Sequence, residues 1–300
     1  MQALWMVVAS LFFAVMGVCV KYASVHYSAG ELVFYRGVVS VVFMLVFARQ
    51  RGVSLATKLP MMHLWRTAIG VAALTCWFYA IGALPLATAM TLNYMSSVWI
   101  AAFLVGGAML FAKPDGSSLG VQGIQGGLLA AVLMGFGGVV MVLRPAFDQQ
   151  QLWGGVVGLL SGFMAAFEYL QVTALSPAGE PEERVVCYLA LGSAVAGLAA
   201  MPFTGVAHWD AQHAWWLLPI GVLASLGQLC MTRAYAQGPT LVAANLQYTG
   251  IVFAALFGWL LFDDKLPMIA WLGMAVIMAS GIIATFIRAR AVPNTPHEEH

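Results

Sequence analysis

Apolar runs of about 20 residues, the length that crosses about 30 Å of hydrocarbon, follow one another along most of this chain. Their boundaries predict helices over 3–24, 31–49, 64–84, 88–111, 122–143, 153–174, 184–203, 213–236, 241–262 and 266–288. The breaks include Ser28-Ala29-Gly30-Glu31, Lys113-Pro114-Asp115-Gly116, Ser176-Pro177-Ala178-Gly179 and Gly238-Pro239. Proline lacks the N–H that a helix interior needs and glycine loses much backbone entropy on ordering, so both end helices. Connections as short as Leu84-Pro85-Leu86-Ala87 and Asp263-Asp264-Lys265 leave room only for antiparallel neighbours. The first run lacks the basic n-region of a signal peptide and reads as a retained helix. The tail, 291–300, is polar and proline-containing and is expected to be disordered.

The second half of the chain repeats the first. Pro85, Ala89, Leu92, Tyr94 and Val98 of the fourth run align with Pro239, Ala243, Leu246, Tyr248 and Val252 of the ninth. Ala131, Val132, Met134 and Gly137 align with Ala275, Val276, Met278 and Gly281, and Leu4, Trp5, Val8 and Leu11 with Leu152, Trp153, Val156 and Leu159. The halves divide as 1–146 and 147–290. Five spans per half is an odd number, so the second half must cross the bilayer upside down. Inverted repeats of this kind belong to secondary transporters. The expected fold is an all-α integral membrane protein of ten transmembrane helices in two inverted five-helix repeats.

Composition agrees. Of the 300 residues 62% are hydrophobic and 8% charged, against about 25% charged in soluble domains, and mean hydropathy is +0.88. The solvent for most of the surface is therefore lipid. A net charge of +1 leaves no basic footprint for nucleic acid. Cys19, Cys76, Cys187 and Cys230 all sit inside apolar runs and read as small buried hydrophobes. With the N-terminus inside, nine of thirteen Lys and Arg fall on the cytoplasmic side: Arg49, Arg51, Lys58, Arg66, Lys113, Arg184, Arg233, Arg288 and Arg290. Lys21, Arg36, Arg144 and Lys265 fall outside. The positive-inside rule places both termini in the cytoplasm. Trp5 and Trp65 at inner ends, and Trp153, Trp209, Trp215 and Trp216 at outer ends, suit interfacial belts.

The segments Ala83-Leu84-Pro85-Leu86-Ala87-Thr88-Ala89 and Gln237-Gly238-Pro239-Thr240-Leu241-Val242-Ala243-Ala244 resemble those of the EamA branch of the drug/metabolite transporter superfamily. So does the acidic turn that closes Phe257-Gly258-Trp259-Leu260-Leu261-Phe262-Asp263-Asp264. The similarity runs from about residue 3 to 288, and is strongest to YddG-type aromatic amino-acid exporters of bacterial inner membranes. It implies a central cavity between the two halves, and it leaves the cargo open because the fold serves many substrates.

Polar residues within the spans mark where chemistry sits. Glu168 is the leading candidate, since a carboxylate inside a span costs about 2.5–3.5 kcal/mol unless it faces a cavity or a partner. It shares a helical face with Ser161, Ala165 and Gln171. It either attracts a substrate ammonium or carries a coupling proton, or it forms a structural pair, for example with Arg233, or it snorkels toward the cytoplasm. Ser225, Gln228, Thr232 and Tyr235 form a second polar face that lines a cavity or bonds neighbouring helices. Arg233 is expected to snorkel to the inner surface. The aligned pairs Asn93/Gln247 and Tyr94/Tyr248 are candidate gates flanking the cavity, or simple packing of similar helices. Trp77, Tyr79 and Trp99 lie too deep for a belt and either line an apolar cavity or pack. Lys21, Glu31 and Arg36 form an outer gate or a structural ion cluster. Gly154, Gly158 and Gly162 make a ridge for close helix approach, with a weak homodimer as the other use.

No H-E-x-x-H, CxxC or P-loop is present, so no cofactor is expected and nucleotide-driven transport would need another subunit. The expected function is secondary export of amino acids, aromatic ones included, or of similar small metabolites. Multidrug, cationic-compound and nucleotide-sugar transport are the alternatives within the superfamily. Large anionic cargo should demand several intramembrane basic residues, which the sequence places mostly at helix ends. A lipid-modifying enzyme or a channel would need a reactive cluster or a ring of charge, and neither is visible.

Overall fold

The computed structural model describes residues 4–100, 102–103, 118–143, 149–175, 177–206, 213–237, 243 and 245–291. Within them run α1 (Trp5–Ala23), α2 (Ala29–Arg51), α3 (Pro60–Ala83), α4 (Leu86–Tyr94), α5 (Ser118–Leu143), α6 (Gln149–Leu175), α7 (Glu182–Thr204), α8 (Leu217–Gln237), α9 (Thr249–Phe262) and α10 (Met268–Ala291). A 3-10 turn at Ala214–Trp216 leads into α8. Every predicted run overlaps one of these helices, and no strand occurs among the described residues. The expected breaks at Lys113-Pro114-Asp115-Gly116 and Gly238-Pro239, the residues Arg144 and Trp209, and the tail beyond Ala291 lie outside them.

Local signals explain the boundaries. Ser28 and Glu31 form a capping box at the start of α2: Glu31 N–H donates to Ser28 Oγ (3.3 Å) and Ser28 N–H to Glu31 Oε2 (2.9 Å). Gly52 ends α2 in the left-handed region at φ 66°, where a side chain would be strained. Pro60 opens α3, since the first turn needs no N–H from it.

Among the described residues six helices (α1, α2, α3, α6, α7 and α8, the last with its 3-10 turn) are long and apolar enough to cross a membrane. The expected fourth and ninth spans are interrupted. The fourth stops at Tyr94, turns at Met95 and resumes at 96, while the ninth turns at Gln247 and Tyr248 before Thr249. Val98 N–H reaches back to Met95 O at 2.9 Å and Gly250 N–H to Gln247 O at 3.0 Å, the tighter i−3 pattern of an interrupted helix.

The principal packing pairs are α2 with α7, α5 with α10, α3 with α6 and α1 with α8, followed by α2–α8, α1–α9, α3–α7, α4–α6 and α4–α9. Exchanging the first five helices for the last five carries this set onto itself: α1–α8 becomes α6–α3, and α1–α9 becomes α6–α4. Close approach needs small residues at the crossings. A Cβ on Gly162 would meet the Leu92 and Asn93 carbonyls of α4, and Gly154 and Gly158 lie against Ala83 and Ala80 of α3. The glycine ridge is thus used within the chain. Outward, α5, α7 and α9 present Leu133, Val195 and Trp259, each more than 60% exposed, as a bilayer-facing surface requires.

Candidate functional site

α6 carries Glu168 into the centre of the bundle, where it is 6% exposed. Its partner is Arg66 on α3, which is fully buried: Arg66 Nη2 lies 3.3 Å from Glu168 Oε1, and Nη1 donates to the Val185 carbonyl of α7 at 3.4 Å. From α2 comes Arg36, 2% exposed, whose Nη1 donates to Ser193 Oγ at 3.1 Å. Arg36 feels both the Glu168 carboxylate and the Arg66 guanidinium. Desolvating each such ion costs several kcal/mol, so mutual compensation is what allows three charged groups here. Two guanidiniums against one carboxylate leave the cluster formally at +1.

Beside this cluster lies a cavity of about 40 Å³, lined also by Phe13, Trp77, Asn93, Tyr94, Tyr169 and Gln228. That is room for water but far below the roughly 300 Å³ of ordinary ligand pockets, so this conformer has no space at its centre for a ligand of ordinary size. Asn93 Nδ2 donates to Ser161 Oγ (3.2 Å), tying α4 to α6. Gln247 Nε2 donates to Tyr169 OH (3.2 Å) and its Oε1 accepts from Tyr235 OH (3.1 Å), while the two tyrosine rings stack at 5.3 Å. Trp77 Nε1, Gln228 Oε1 and Arg36 Nε are buried without a hydrogen-bonding partner. Buried polar atoms are nearly always satisfied, so these three are candidate contacts for a bound molecule.

Of the residues expected at the site, Trp77, Asn93, Tyr94, Glu168 and Gln228 do gather around the cavity. Gln247 stands one hydrogen bond behind it, through Tyr169. The others do not line it. Tyr79 is 38% exposed, because two residues beyond Trp77 is about 200° around the helix. Trp99 packs edge-to-face with Phe136 and Phe163. Gln171 lies half-buried outside the lining, and Tyr248 is wedged against Gly281 of α10.

Three further corrections concern charge. The partner of Glu168 is Arg66 rather than Arg233, which sits over the Trp5 ring at 5.2 Å. Arg36 and Arg66 are buried in the core and not near the surface, so nine against four becomes eight against three in the count of flanking charges. Lys21 pairs with Asp264 while Arg36 Nη1 donates to Ser193, so these two cations answer different partners. Sequence reasoning missed Arg36, Arg66 and Tyr169 as site residues. Pro60, four residues ahead of the expected start of α3, was the available sign that Arg66 lies a turn deeper.

Polar clusters tie the chain together at both ends of the bundle. At one end Lys21 Nζ pairs with Asp264 Oδ2 (3.2 Å) and donates to Leu84 O (3.1 Å), while Asp264 accepts the Leu86 N–H (3.1 Å) at the start of α4. At the other, Glu180 accepts from Thr57 Oγ1 (2.7 Å) and Arg184 Nη1 (2.9 Å) and lies 2.9 Å from His63 Nε2. Burial alone would raise the Glu180 pKa, but the bonds from Thr57, His63 and Arg184 outweigh it and hold the carboxyl at about 2. Among the described residues no group of three or more His, Cys, Asp or Glu converges to hold a metal.

A family model described as the EamA-like transporter family matches residues 1–113 and 152–286. A pseudopaline exporter of Pseudomonas aeruginosa (strain UCBPP-PA14) is 33% identical over 276 residues, covering 92% of this chain and 93% of that protein. A riboflavin transporter of Vibrio cholerae is 28% identical over 287 residues, covering 93% and 90%. A solved crystal structure superposes with a TM-score of 0.66 at 17% identity, over 95% of this chain and 98% of its own, a likeness of fold alone. The cargoes named for these relatives are pseudopaline and riboflavin, so the similarity is to the family broadly and not to aromatic amino-acid exporters in particular. The chain is a multi-pass membrane protein and a transporter rather than an enzyme: it belongs to the EamA-like transporter family.

Proposed function

We propose that this transporter exports small metabolites bearing a carboxylate, with amino acids and their derivatives as the class, across the bacterial inner membrane with both termini cytoplasmic. The observation that carries this reading is the Arg36–Glu168–Arg66 cluster, which leaves a net positive charge beside the unsatisfied Trp77 Nε1 and Gln228 Oε1. A carboxylate suits the surplus guanidinium. An amine suits the Gln228 carbonyl, and Trp77 and Tyr94 supply apolar flanks. The objection to anionic cargo, that basic residues keep to the helix ends, does not hold for Arg36 and Arg66. A lone acid attracting cationic drugs is disfavoured because Glu168 already has Arg66.

Alternating access between two inverted halves, 1–146 and 147–290, is the proposed motion. It is supported by the packing pairs that exchange between halves and by the interruptions at Met95 and at Gln247–Tyr248, which fall within two residues of each other when the halves are aligned. Asn93 and Gln247 act in it as ties to α6 that change as the halves rock.

Flux into proteoliposomes tests the reading, with a labelled panel of amino acids, a dicarboxylate, riboflavin, a cationic dye and a nucleotide sugar. Saturable counterflow confined to carboxylate-bearing compounds of amino-acid type is expected. Transport of the dye or riboflavin with no flux of any amino acid would overturn it.

A further inference from the structure

A second, larger cavity of about 320 Å³ lies at the end of the bundle where α2 and α8 finish and α7 begins, reaching the surface beside Arg51 and Gln237. Three helices join it to the central cavity in matching steps. On α6 Glu168 lines the central cavity and Val172 the vestibule; on α7 the pair is Leu189 and Val185, and on α8 Gln228 and Thr232. Each step is four residues, about 6 Å of helix rise, so the two spaces are stacked one turn apart along a common route.

Arg66 occupies the step between them. Its Nη2 contacts Glu168, a wall of the central cavity, and its Nη1 contacts the carbonyl of Val185, a wall of the vestibule. The guanidinium has five donors, yet these two bonds run to 3.3 and 3.4 Å and Nε has no partner. It is held loosely for a fully buried charge. We propose that Arg66 is the movable divide between vestibule and central cavity, and that cargo loads along the α6–α7–α8 route. A carboxylate arriving in the vestibule offers Arg66 a bidentate partner in place of Val185 and Glu168, and the side chain then swings with the cargo into the central space. This rests on the proposed function, in which the vestibule faces the cytoplasm.

Thiol accessibility tests the divide without any cargo. The full-length protein, with Cys19, Cys76, Cys187 and Cys230 replaced by alanine, receives one cysteine at Ala165 in the central cavity or at Ala236 in the vestibule. A membrane-impermeant methanethiosulfonate reagent is applied from the vestibule side. Ala236→Cys is expected to react equally fast with Arg66 or Arg66→Ala. Ala165→Cys is expected to react about tenfold faster or more in Arg66→Ala, as a sparsely populated open form becomes dominant. The double variant Arg66→Gln, Glu168→Gln removes both charges and repeats the comparison should the single one misfold. Equal rates at Ala165→Cys with and without Arg66 overturn the divide, whatever the flux assay shows. Accelerated labelling with no carboxylate flux leaves the divide standing and rejects the cargo.

Discussion

Arg36 is the residue whose role separates cargo recognition from structural charge balance. Its Nη1 is anchored by Ser193 and its Nε is unsatisfied, whereas Arg66 is engaged by Glu168. A hydrogen bond to a charged group contributes about 1.5–3 kcal/mol, and 1.4 kcal/mol is tenfold in affinity. Arg36→Gln is therefore expected to raise KM for a carboxylate cargo by about 10–100-fold. Initial rates in proteoliposomes measure this, and the matching amide cargo should be insensitive to the change. The sequence showed Glu168 as costly in a span, and the structure places it at the wall of the central cavity. It did not reveal the partner, which lies 102 residues away on another helix, because no local pattern encodes a contact of that range. Trp77 and Tyr79 make the same point: both are deep aromatics, but a helix apolar on every face has no polar stripe to say which one turns inward.

At the scale of helices, glycine placement decides how closely neighbours approach. Gly162 brings α6 onto the α4 backbone, and any side chain there meets the Leu92 carbonyl. Gly137 on α5 has open space where a Cβ would stand. Gly162→Ala is expected to destabilise by about 1–3 kcal/mol through overpacking. Gly137→Ala should be neutral or gain up to about 0.5–1 kcal/mol from helix propensity. Melting curves of the purified protein in one detergent compare the two, and a loss at Gly137 as large as that at Gly162 would contradict this packing. The ridge Gly154, Gly158 and Gly162 was readable from its spacing. That it serves α3 and α4 rather than a second subunit was decided by how the helices assemble. The interruptions at Met95 and at Gln247–Tyr248 were not readable, since their residues are ordinary helix formers in an apolar run.

For the whole molecule, two unlike clusters tie helices together at opposite ends of the bundle, Lys21–Asp264–Leu86 and the Thr57–His63–Arg184 set around Glu180. Glu180 is the pH-sensitive one. Its folded pKa, about 2, lies below the ordinary value of about 4.3. The stability it contributes is thus fully present above about pH 4.3 and lost as pH falls toward 2. Glu180→Gln should lower the melting temperature at pH 7 by an amount that stays constant down to about pH 5 and shrinks below about pH 4. Melting wild type and variant in parallel from pH 7 to 3 checks this, and a gap that closes between pH 7 and 5 would assign the effect to another group. Neither set of partners was visible beforehand. Lys21 was legible as part of an outer gate or a structural ion pair and Asp264 as part of an acidic turn, but not their pairing, which joins segments 243 residues apart.

What the sequence determined by itself is what partition and local hydrogen bonding control. Apolar length fixes which segments leave water, Ser28-Ala29-Gly30-Glu31 and Pro60 set helix starts, and the recurring pattern of residues identifies the family. Tertiary structure alone decided which face of each apolar helix turns inward, that Arg66 and not Arg233 answers Glu168, and that Arg36 enters the core. In lipid every face of a helix is soluble, so rotation and partner choice follow from close packing and charge compensation between distant segments.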